Sequence, residues 1–214
     1  MYDIINNIVI DNMFEEIYSF LDGYDGFGSS FSAKSKYKGE EDTGKMTYGE
    51  FTSTSMTDMI NTLKKHKKFN GTESAVDLGS GMGKVVIALH YSGCFRNVYG
   101  VELLEGMYND SLKLIEDYAK EFGKDISNIK MFNDNALNLN YSNYDVIVSN
   151  TSVNSVLLNN IVKKVDQEAK DGAIVISTIS QFESPNLKQL DRFSTKFSWG
   201  SSHLNFAMKN EPNK

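Results

Sequence analysis

The chain has 214 residues, of which 40% are hydrophobic and 12% aromatic, and this composition excludes a wholly disordered protein. Its net charge of −6 disfavours a protein that works mainly by neutralising phosphate groups, since such proteins are usually basic. The single cysteine, Cys94, cannot form an internal disulfide, and no run of 18 apolar residues is present to span a membrane. These features predict an intracellular protein.

The N-terminal part is predicted to be one helix followed by a long loop. Apolar side chains recur at roughly i, i+3 and i+4 over residues 2–21, which indicates an amphipathic helix. Residues 22–47 are rich in glycine, serine and charge, so we predict a long loop that is either mobile or functional. We expect residues 23–47 to become ordered when a ligand binds. A second helix is predicted over residues 54–68, with Ser53 or Thr54 as its N-cap.

Strands and helices alternate from residue 74 onward. Strands are predicted at residues 74–79, 97–103, 128–133, 144–150 and 173–179, and helices at 82–92, 105–122 and 154–169. This alternation indicates an α/β fold with a parallel sheet covered on both faces. The final segments "DRFSTKFSW" and "SSHLNFAMK" predict an antiparallel hairpin. The predicted fold is therefore the Rossmann-like seven-stranded sheet of class I methyltransferases.

A glycine-rich turn follows the first predicted strand. In "AVDLGSGMGKVVIALHYSG", residues 75–93, the glycines Gly79, Gly81 and Gly83 have the spacing G-x-G-x-G. Glycine lets a ligand approach the backbone closely, and a strand, a turn and a helix N-terminus together can form a nucleotide site. The spacing differs from G-x-G-x-x-G, and no P-loop motif is present. We therefore predict a nucleotide site that does not bind a pyrophosphate group.

Three acidic residues stand at the ends of successive predicted strands. Asp77 can hold the N–H groups of the turn or face a ligand's ammonium group, or it is a simple turn cap. Glu102 can accept hydrogen bonds from both ribose hydroxyls, or it is an exposed strand-end carboxylate. Asp134 can bind the exocyclic amine of adenine, or it forms an Asp turn. Together the three favour S-adenosylmethionine over NAD or ATP.

Five segments resemble the catalytic core of the disruptor-of-telomeric-silencing family, which are non-SET histone-lysine methyltransferases with a class I fold. The segments are "TYGEF" (47–51), "VDLGSGMGKVVIAL" (76–89), "GVELLE" (100–105), "YDVIVSN" (144–150) and "FSWGSSHLNFAMK" (197–209). The resemblance covers about residues 45–210. It implies an S-adenosylmethionine-dependent methyltransferase domain at residues 48–214, preceded by the N-terminal helix and loop at residues 1–47.

The resemblance also implies roles for single residues. Tyr48 would lie on a loop over the methionine end of the cofactor, and Asn150 would line the lysine channel near the methyl group. These two are the predicted catalytic residues. The predicted cofactor-binding residues are Glu50, Thr52, Asp77, Gly79, Gly81, Lys84, Glu102, Asp134 and Asn135. No Cys/His cluster indicates a metal site.

Three positions depart from the family pattern. Lys84 replaces a neutral amide, so its charge either pairs with the cofactor's carboxylate or faces solvent. Asn135 replaces an aromatic residue that would stack on adenine. After Asn150 the sequence reads "TSVNS", where the family has a second Asn and an aromatic residue, which alters the predicted wall of the lysine channel.

These observations predict a protein-lysine N-methyltransferase acting on a core histone, and hence a nuclear chromatin enzyme. One alternative is a lysine methyltransferase with a non-histone, cytoplasmic substrate, which the acidic charge favours. The others are an RNA methyltransferase or an inactive cofactor-binding module. Direct DNA binding is predicted to be weak or to depend on a partner, because the chain lacks a long basic extension. The basic run at residues 64–68 is predicted to be a solvated helix end and a patch for docking on nucleosomes.

Overall fold

The computed structural model describes residues 13–39, 48–150, 155–178 and 184–210. Within these ranges, seven strands form one sheet in the order β3-β2-β1-β4-β5-β7-β6. The strands are β1 (Ser74–Leu78), β2 (Asn97–Glu102), β3 (Ile129–Asn133), β4 (Val146–Ser149), β5 (Ile174–Ser177), β6 (Leu187–Phe197) and β7 (Gly200–Lys209). The first five strands pair in parallel, and β7 pairs antiparallel with both β5 and β6. The predicted fold and its C-terminal hairpin are confirmed.

Helices cover both faces of the sheet. They are α1 (residues 13–21), α2 (Gly26–Lys36), α3 (Ser53–His66), α4 (Lys84–Tyr91), α5 (Glu105–Phe122) and α6 (Ser155–Glu168). Alternate residues of a strand face opposite sides, so Val146 and Val148 of β4 pack in the core on the side of α3, α4 and α5, while Ile147 packs with residues of α6. Burial on both faces explains why the central strands are continuous apolar runs. In the described ranges, no helix combines the length and hydropathy that a bilayer crossing requires.

The N-terminal part differs from the prediction. Residues 13–21 are helical as expected, and residues 2–12 of the predicted helix lie outside the described residues. The predicted loop is wrong over Gly26–Lys36, because this segment is helix α2. Residues 40–47 of that loop also lie outside the described residues. The domain boundary at residue 47 and an ordering of the segment on ligand binding stay predictions.

Tertiary contacts explain why a segment of low helix propensity forms α2. The Asp25 side chain caps the helix by accepting a hydrogen bond from the Gly28 N–H at 2.9 Å. The Ser29 hydroxyl donates to Asp110 on α5 at 2.5 Å. A Cβ at Gly106 of α5 would lie 3.0 Å from the Ala33 Cβ, so the two helices pack at close range. These contacts supply the stability that the Gly- and Ser-rich sequence lacks by itself.

Helix α3 begins with a cap that the sequence analysis assigned to the neighbouring residues. Its N-cap is Thr52, and Thr52 and Ser55 form a reciprocal capping box. The Thr52 hydroxyl also donates to the Lys196 carbonyl on β6 at 2.7 Å. The preceding residue, Phe51, forms an isolated β-bridge with Phe197. Thr52 therefore joins α3 to the terminal hairpin, and its predicted contact with a cofactor stays a prediction.

Replacing Thr52 with alanine, and separately Thr54, tests which of the two residues caps α3. We expect Thr52→Ala to lower the free energy of unfolding by about 1–2 kcal/mol, because the N-cap bond and the bond to β6 are both lost. The matched control is Thr54→Ala, since Thr54 is exposed and lies inside the first turn. Its effect should stay within about 0.5 kcal/mol. Urea unfolding measures both variants, and equal losses would contradict the assignment of the cap.

Candidate functional site

The candidate site lies at the carboxyl ends of β1, β2 and β4. The strand order reverses beside β1, because β2 follows it on one side and β4 lies on the other. Such a switch point opens a crevice beyond the strand ends, which is where ligands bind in open α/β sheets. The glycine-rich turn, the segment before α3 and residue 150 all meet there.

The glycine turn requires glycine at its bends. Gly79, Gly81 and Gly83 have φ values of 74°, 54° and 80°, which place them in the left-handed region. The N–H groups of Gly79 and Ser80 both donate to the Val101 carbonyl at 2.9 Å, which fixes the turn against β2. The turn is thus a rigid backbone surface leading into α4.

Glu102 holds this turn from behind. Its Oε2 accepts the Gly81 N–H and its Oε1 accepts the Leu104 N–H, both at 2.8 Å. The side chain is only 7% exposed, so the interpretation as an exposed strand-end carboxylate is wrong. Burial raises the pKa of Glu102, and the backbone N–H bonds oppose that rise. A carboxylate oxygen can accept a second bond, so the predicted contact with ribose stays open as a prediction.

Asp77 presents an unsatisfied carboxylate oxygen to the site. The residue is 2% exposed, and its Oδ1 has no hydrogen-bond partner among the described residues. Burial, together with the charge of Glu102, raises the pKa of Asp77 to about 7. A buried acceptor without a partner is costly, so the position favours a ligand that supplies a donor or a positive charge.

Ser80 makes a similar contribution that the sequence analysis missed. Its hydroxyl is buried and has no partner within the described part of the chain. Ser80, Asp77 and Asn150 line one cavity of 60 Å³, which we call the inner cavity. Its other lining residues are Tyr48, Gly49, Glu50, Phe51, Gly79, Gly81, Lys84 and Val85. The inner cavity therefore brings together most of the predicted site residues.

A partly buried network of Tyr48, Glu50 and Lys84 forms one wall of the inner cavity. The Tyr48 hydroxyl donates to Glu50 Oε1 at 2.5 Å, and Lys84 Nζ lies 2.8 Å from the same oxygen. Lys84 also donates to the Tyr24 carbonyl at 2.9 Å. Lys84 is 6% exposed, so the interpretation as a solvent-facing lysine is wrong. Burial and the adjacent Glu50 raise the pKa of Tyr48 far above its ordinary range, so its hydroxyl stays protonated and acts as a donor.

Asn150 fixes the opposite wall. Its Nδ2 donates to the Gly49 carbonyl at 2.9 Å, and its Oδ1 accepts from the Thr178 hydroxyl at 2.8 Å. Asn150 therefore ties the 48–50 segment to the sheet. Thr178 holds the amide in this orientation. Its role was not predicted, because Thr178 follows β5 and lies 28 residues further along the chain. Val153, a predicted channel wall, lies outside the described residues.

Asp134 and Asn135 lie after β3 and do not line the inner cavity. Asp134 Oδ1 accepts from the Asn135 N–H and from the Asn138 side chain, both at 2.7 Å. Asn135 Oδ1 accepts from the Leu137 N–H at 3.0 Å and caps a short 3₁₀ turn. This local geometry matches the Asp turn that was the alternative for Asp134, and contact with adenine stays a prediction for both residues.

A larger cavity of 530 Å³ lies on the far side of the Tyr48–Glu50–Lys84 network, and we call it the outer cavity. The residues 22–27 and Ser198 complete its lining. Among its lining residues the carboxylates are Asp22, Asp25 and Glu50, and the one cation is Lys84. This wall could not be predicted from the sequence, because residues 22–47 have the composition of a loop.

The residues present fit a nucleoside that carries an amino-acid end. The turn from Gly79 to Gly81 offers close backbone approach, Asp77 offers an unpaired acceptor to an ammonium group, and Lys84 offers a cation to a carboxylate. The inner cavity alone is far below the ~300–1,000 Å³ typical of ligand sites, so such a ligand must also displace part of the network wall.

Comparison with known proteins bears on the fold and the family. A family model described as "Histone methylation protein DOT1" matches residues 32–206. No curated protein sequence is significantly similar to the chain. A Pyrococcus horikoshii protein designated an RNA methyltransferase has a TM-score of 0.60 at 15% identity, covering 89% of this chain and 99% of its own.

Two further solved structures show the same likeness. A Haemophilus influenzae protein designated a methylase has a TM-score of 0.57 at 14% identity, covering 73% of this chain and 88% of its own. An RNA methyltransferase from Salinibacter ruber, solved with S-adenosyl-L-homocysteine, has a TM-score of 0.53 at 14% identity, covering 73% of this chain and 94% of its own. At such identities these structures establish a shared fold only.

Replacing Asp77 with asparagine should make the stability of the protein less dependent on pH. The pKa of Asp77 is about 7 in the fold against an ordinary value of 3.8, so the fold loses stability as pH rises from 4 to 7. Asp77→Asn removes this loss, and its gain in free energy of unfolding should be larger at pH 8 than at pH 5 by about 1–3 kcal/mol.

Denaturant titrations at the two pH values, without ligand, measure the effect. The control is Asp171→Asn, because Asp171 is exposed and lies in a turn outside the site. An Asp77→Asn gain that is the same at both pH values would show that ionisation of the buried Asp77 does not lower the free energy of unfolding.

Proposed function

The chain belongs to the DOT1 family of histone methylation proteins and is an S-adenosylmethionine-dependent methyltransferase, and we propose that it methylates a lysine side chain of a core histone. When bound, the cofactor supplies an electrophilic methyl group on a sulfonium. The protein must then align an uncharged amine with that methyl group. The residues of the two cavities divide this task between them.

We assign the inner cavity to the cofactor. The Gly79–Gly81 turn and Asp77 would hold the amino-acid end, with the unpaired Asp77 oxygen accepting its ammonium group. Glu102 braces the turn and would bind the ribose, and Asp134 with Asn135 would contact adenine. Thr52 makes its capping bonds just outside this set, so its role at the cofactor has the least support.

The acidic lining of the outer cavity is the observation that supports a lysine side chain as the methyl acceptor. The acidic residues Asp22 and Asp25 are among its lining residues, and so is Phe27, which is 72% exposed. The charge of Lys84 is compensated by Glu50 and the Tyr24 carbonyl. A long cationic side chain would be attracted here, whereas the phosphates of a nucleic acid would be repelled.

Deprotonation of the acceptor is favoured deeper in the site. An amine that passes from the acidic wall to the buried surface around Tyr48 and Asn150 loses solvation, which lowers its pKa. Phe51 lines the same inner cavity and adds apolar surface. Tyr48 stays protonated, so it orients groups by donating a hydrogen bond and does not act as a base. No dedicated general base is then required.

The alternatives differ in what supports them. Two of the similar structures are designated RNA methyltransferases, but at 14–15% identity they establish only a shared fold. The acidic residues Asp22 and Asp25 disfavour a substrate with phosphate groups. A non-histone protein lysine would enter the same wall equally well. The histone proposal, and the nuclear location that goes with it, rest on the family.

The basic run at residues 64–68 offers limited support for docking on a nucleosome. Lys65 pairs with Asp191 at 3.0 Å, and Lys67 lies 3.7 Å from Asp145. His66 also contacts Asp191. The solvated helix end is confirmed for Lys64, Lys65 and Lys68, which are exposed, whereas Lys67 is only partly exposed. The proposed docking of this run on DNA stays a prediction. The ion pairs with Asp191 and Asp145 lower the net positive charge that the run can offer to DNA.

Transfer of labelled methyl groups tests the acceptor class. The protein is incubated with labelled cofactor and, separately, with recombinant nucleosomes, free core histones, lysate protein and total RNA. We expect label on histone lysine, located by mass spectrometry. Label on non-histone protein alone would overturn the histone proposal, and label on RNA alone would overturn the lysine proposal.

Removing the acidic wall tests the route of the acceptor. The double variant Asp22→Asn, Asp25→Asn should raise KM for a lysine-containing histone peptide about 2- to 20-fold, because two solvent-exposed charge attractions, each worth about 0.2–1 kcal/mol, are lost. Asparagine at position 25 still caps α2, so the fold is preserved. The affinity for S-adenosylhomocysteine should not change, nor should either value change in Asp171→Asn. An unchanged KM would place the acceptor elsewhere.

A further inference from the structure

Lys84 is a buried cation that joins three segments. It is the first residue of α4, directly after the glycine turn. Its ammonium contacts Glu50 in the 48–50 segment and the Tyr24 carbonyl in the 22–27 wall. Burying an ammonium group is costly unless it is paired and hydrogen-bonded, so these two contacts are what keep Lys84 in this position.

The ion pair of Lys84 and Glu50 separates the two cavities. Both residues, with Tyr48, belong to the lining of the inner and of the outer cavity. The inner cavity is only 60 Å³ while the pair is closed. A ligand that reaches the glycine turn and also extends an amino-acid end must therefore open this pair.

The charges beside the pair are complementary to an α-amino acid. On one side Asp77 has a buried oxygen without a partner in the described part of the chain. On the other side Lys84 is the one cation among the residues that line the inner cavity. An ammonium group at Asp77 and a carboxylate at Lys84 would satisfy both at once. The Glu50 carboxylate occupies, on Lys84, the position that a ligand's carboxylate needs.

If Lys84 pairs with the cofactor's carboxylate as its charge predicts, that carboxylate must take the place of Glu50. We propose that Glu50 is an internal substitute for the cofactor's carboxylate and is released from Lys84 when the cofactor binds. This inference rests on the proposed assignment of the inner cavity. Lys84 exchanges one carboxylate for another, so its charge remains compensated throughout. No covalent bond changes in this step.

The exchange has a consequence for the acceptor. Released from Lys84, the Glu50 carboxylate remains a lining residue of the outer cavity, where it adds an uncompensated negative charge to those of Asp22 and Asp25. A cationic acceptor is then attracted more strongly after the cofactor has bound than before. The order of binding is cofactor first and acceptor lysine second.

Two ligands that differ only in the amino-acid end test whether Lys84 pairs with the cofactor's carboxylate. S-adenosylhomocysteine has this end, and 5′-methylthioadenosine lacks it. Calorimetry on the parent should show much tighter binding of the former. Lys84→Gln should weaken S-adenosylhomocysteine about 10- to 100-fold and leave 5′-methylthioadenosine unchanged, because a hydrogen bond between charged groups is lost. Binding of 5′-methylthioadenosine to the variant also shows that its adenosine site is folded.

A second variant separates an internal substitute from a direct ligand. Glu50→Gln should bind S-adenosylhomocysteine more tightly than the parent, because the competitor for Lys84 is gone. Weaker binding would show that Glu50 contacts the cofactor itself and would overturn the exchange. If Lys84→Gln weakened the binding of both ligands equally, Lys84 would only stabilise the structure of the turn, and its pairing with the cofactor's carboxylate would be disproved.

Hydrogen exchange supplies a readout that a structural role would not change. In the parent, S-adenosylhomocysteine should alter amide exchange across residues 48–51, because Glu50 is released from Lys84, and 5′-methylthioadenosine should not. In Lys84→Gln neither ligand should do so. Identical exchange with both ligands in the parent would overturn the proposal. If the parent binds neither ligand, the methyltransferase assignment fails instead, which is a distinguishable result.

Discussion

The structure of the site depends on one buried ammonium group. Lys84 cannot lie in the interior without partners, and it finds them in segments about 60 and 34 residues before it in the chain. The N-terminal helices, the segment before α3 and the glycine turn therefore meet at one point. Tyr48 donates to the same Glu50 oxygen, which extends the network to the surface of the inner cavity. The wall between the two cavities therefore depends on the pairing of Lys84.

Most of the sheet could be predicted from the sequence, because its signals are local. Apolar runs such as residues 146–148 mark strands buried on both faces, and the hairpin follows from two β-rich segments around Gly200. Helix α2 could not be predicted in this way. Its sequence "GFGSSFSAKSK" has low helix propensity, and the contacts that stabilise it come from α5, which lies more than 70 residues away.

The site shows the same division between local and distant signals. Asp77, the glycine turn and Asn150 were found because they adjoin strands whose ends the sequence reveals. Thr178 was missed because only the folded sheet brings it to Asn150. The charge of Lys84 was visible in the sequence, but its partners were not, since the Tyr24 carbonyl belongs to a segment with the composition of a loop. A backbone carbonyl that accepts a hydrogen bond from a side chain cannot be identified from residue types, because every residue has one.

The terminal hairpin gives the protein an optical reporter of its own site. Trp199 is the only tryptophan in the chain, and it is 44% exposed at the β6–β7 turn. Its ring stacks on Phe197 at 4.6 Å between centroids, and it packs so closely on Gly49 that a Cβ there would lie 2.3 Å from the indole. Any displacement of the 48–50 segment changes the surroundings of this ring. Intrinsic fluorescence of the unlabelled protein therefore follows the segment in real time, with no second tryptophan to obscure the signal.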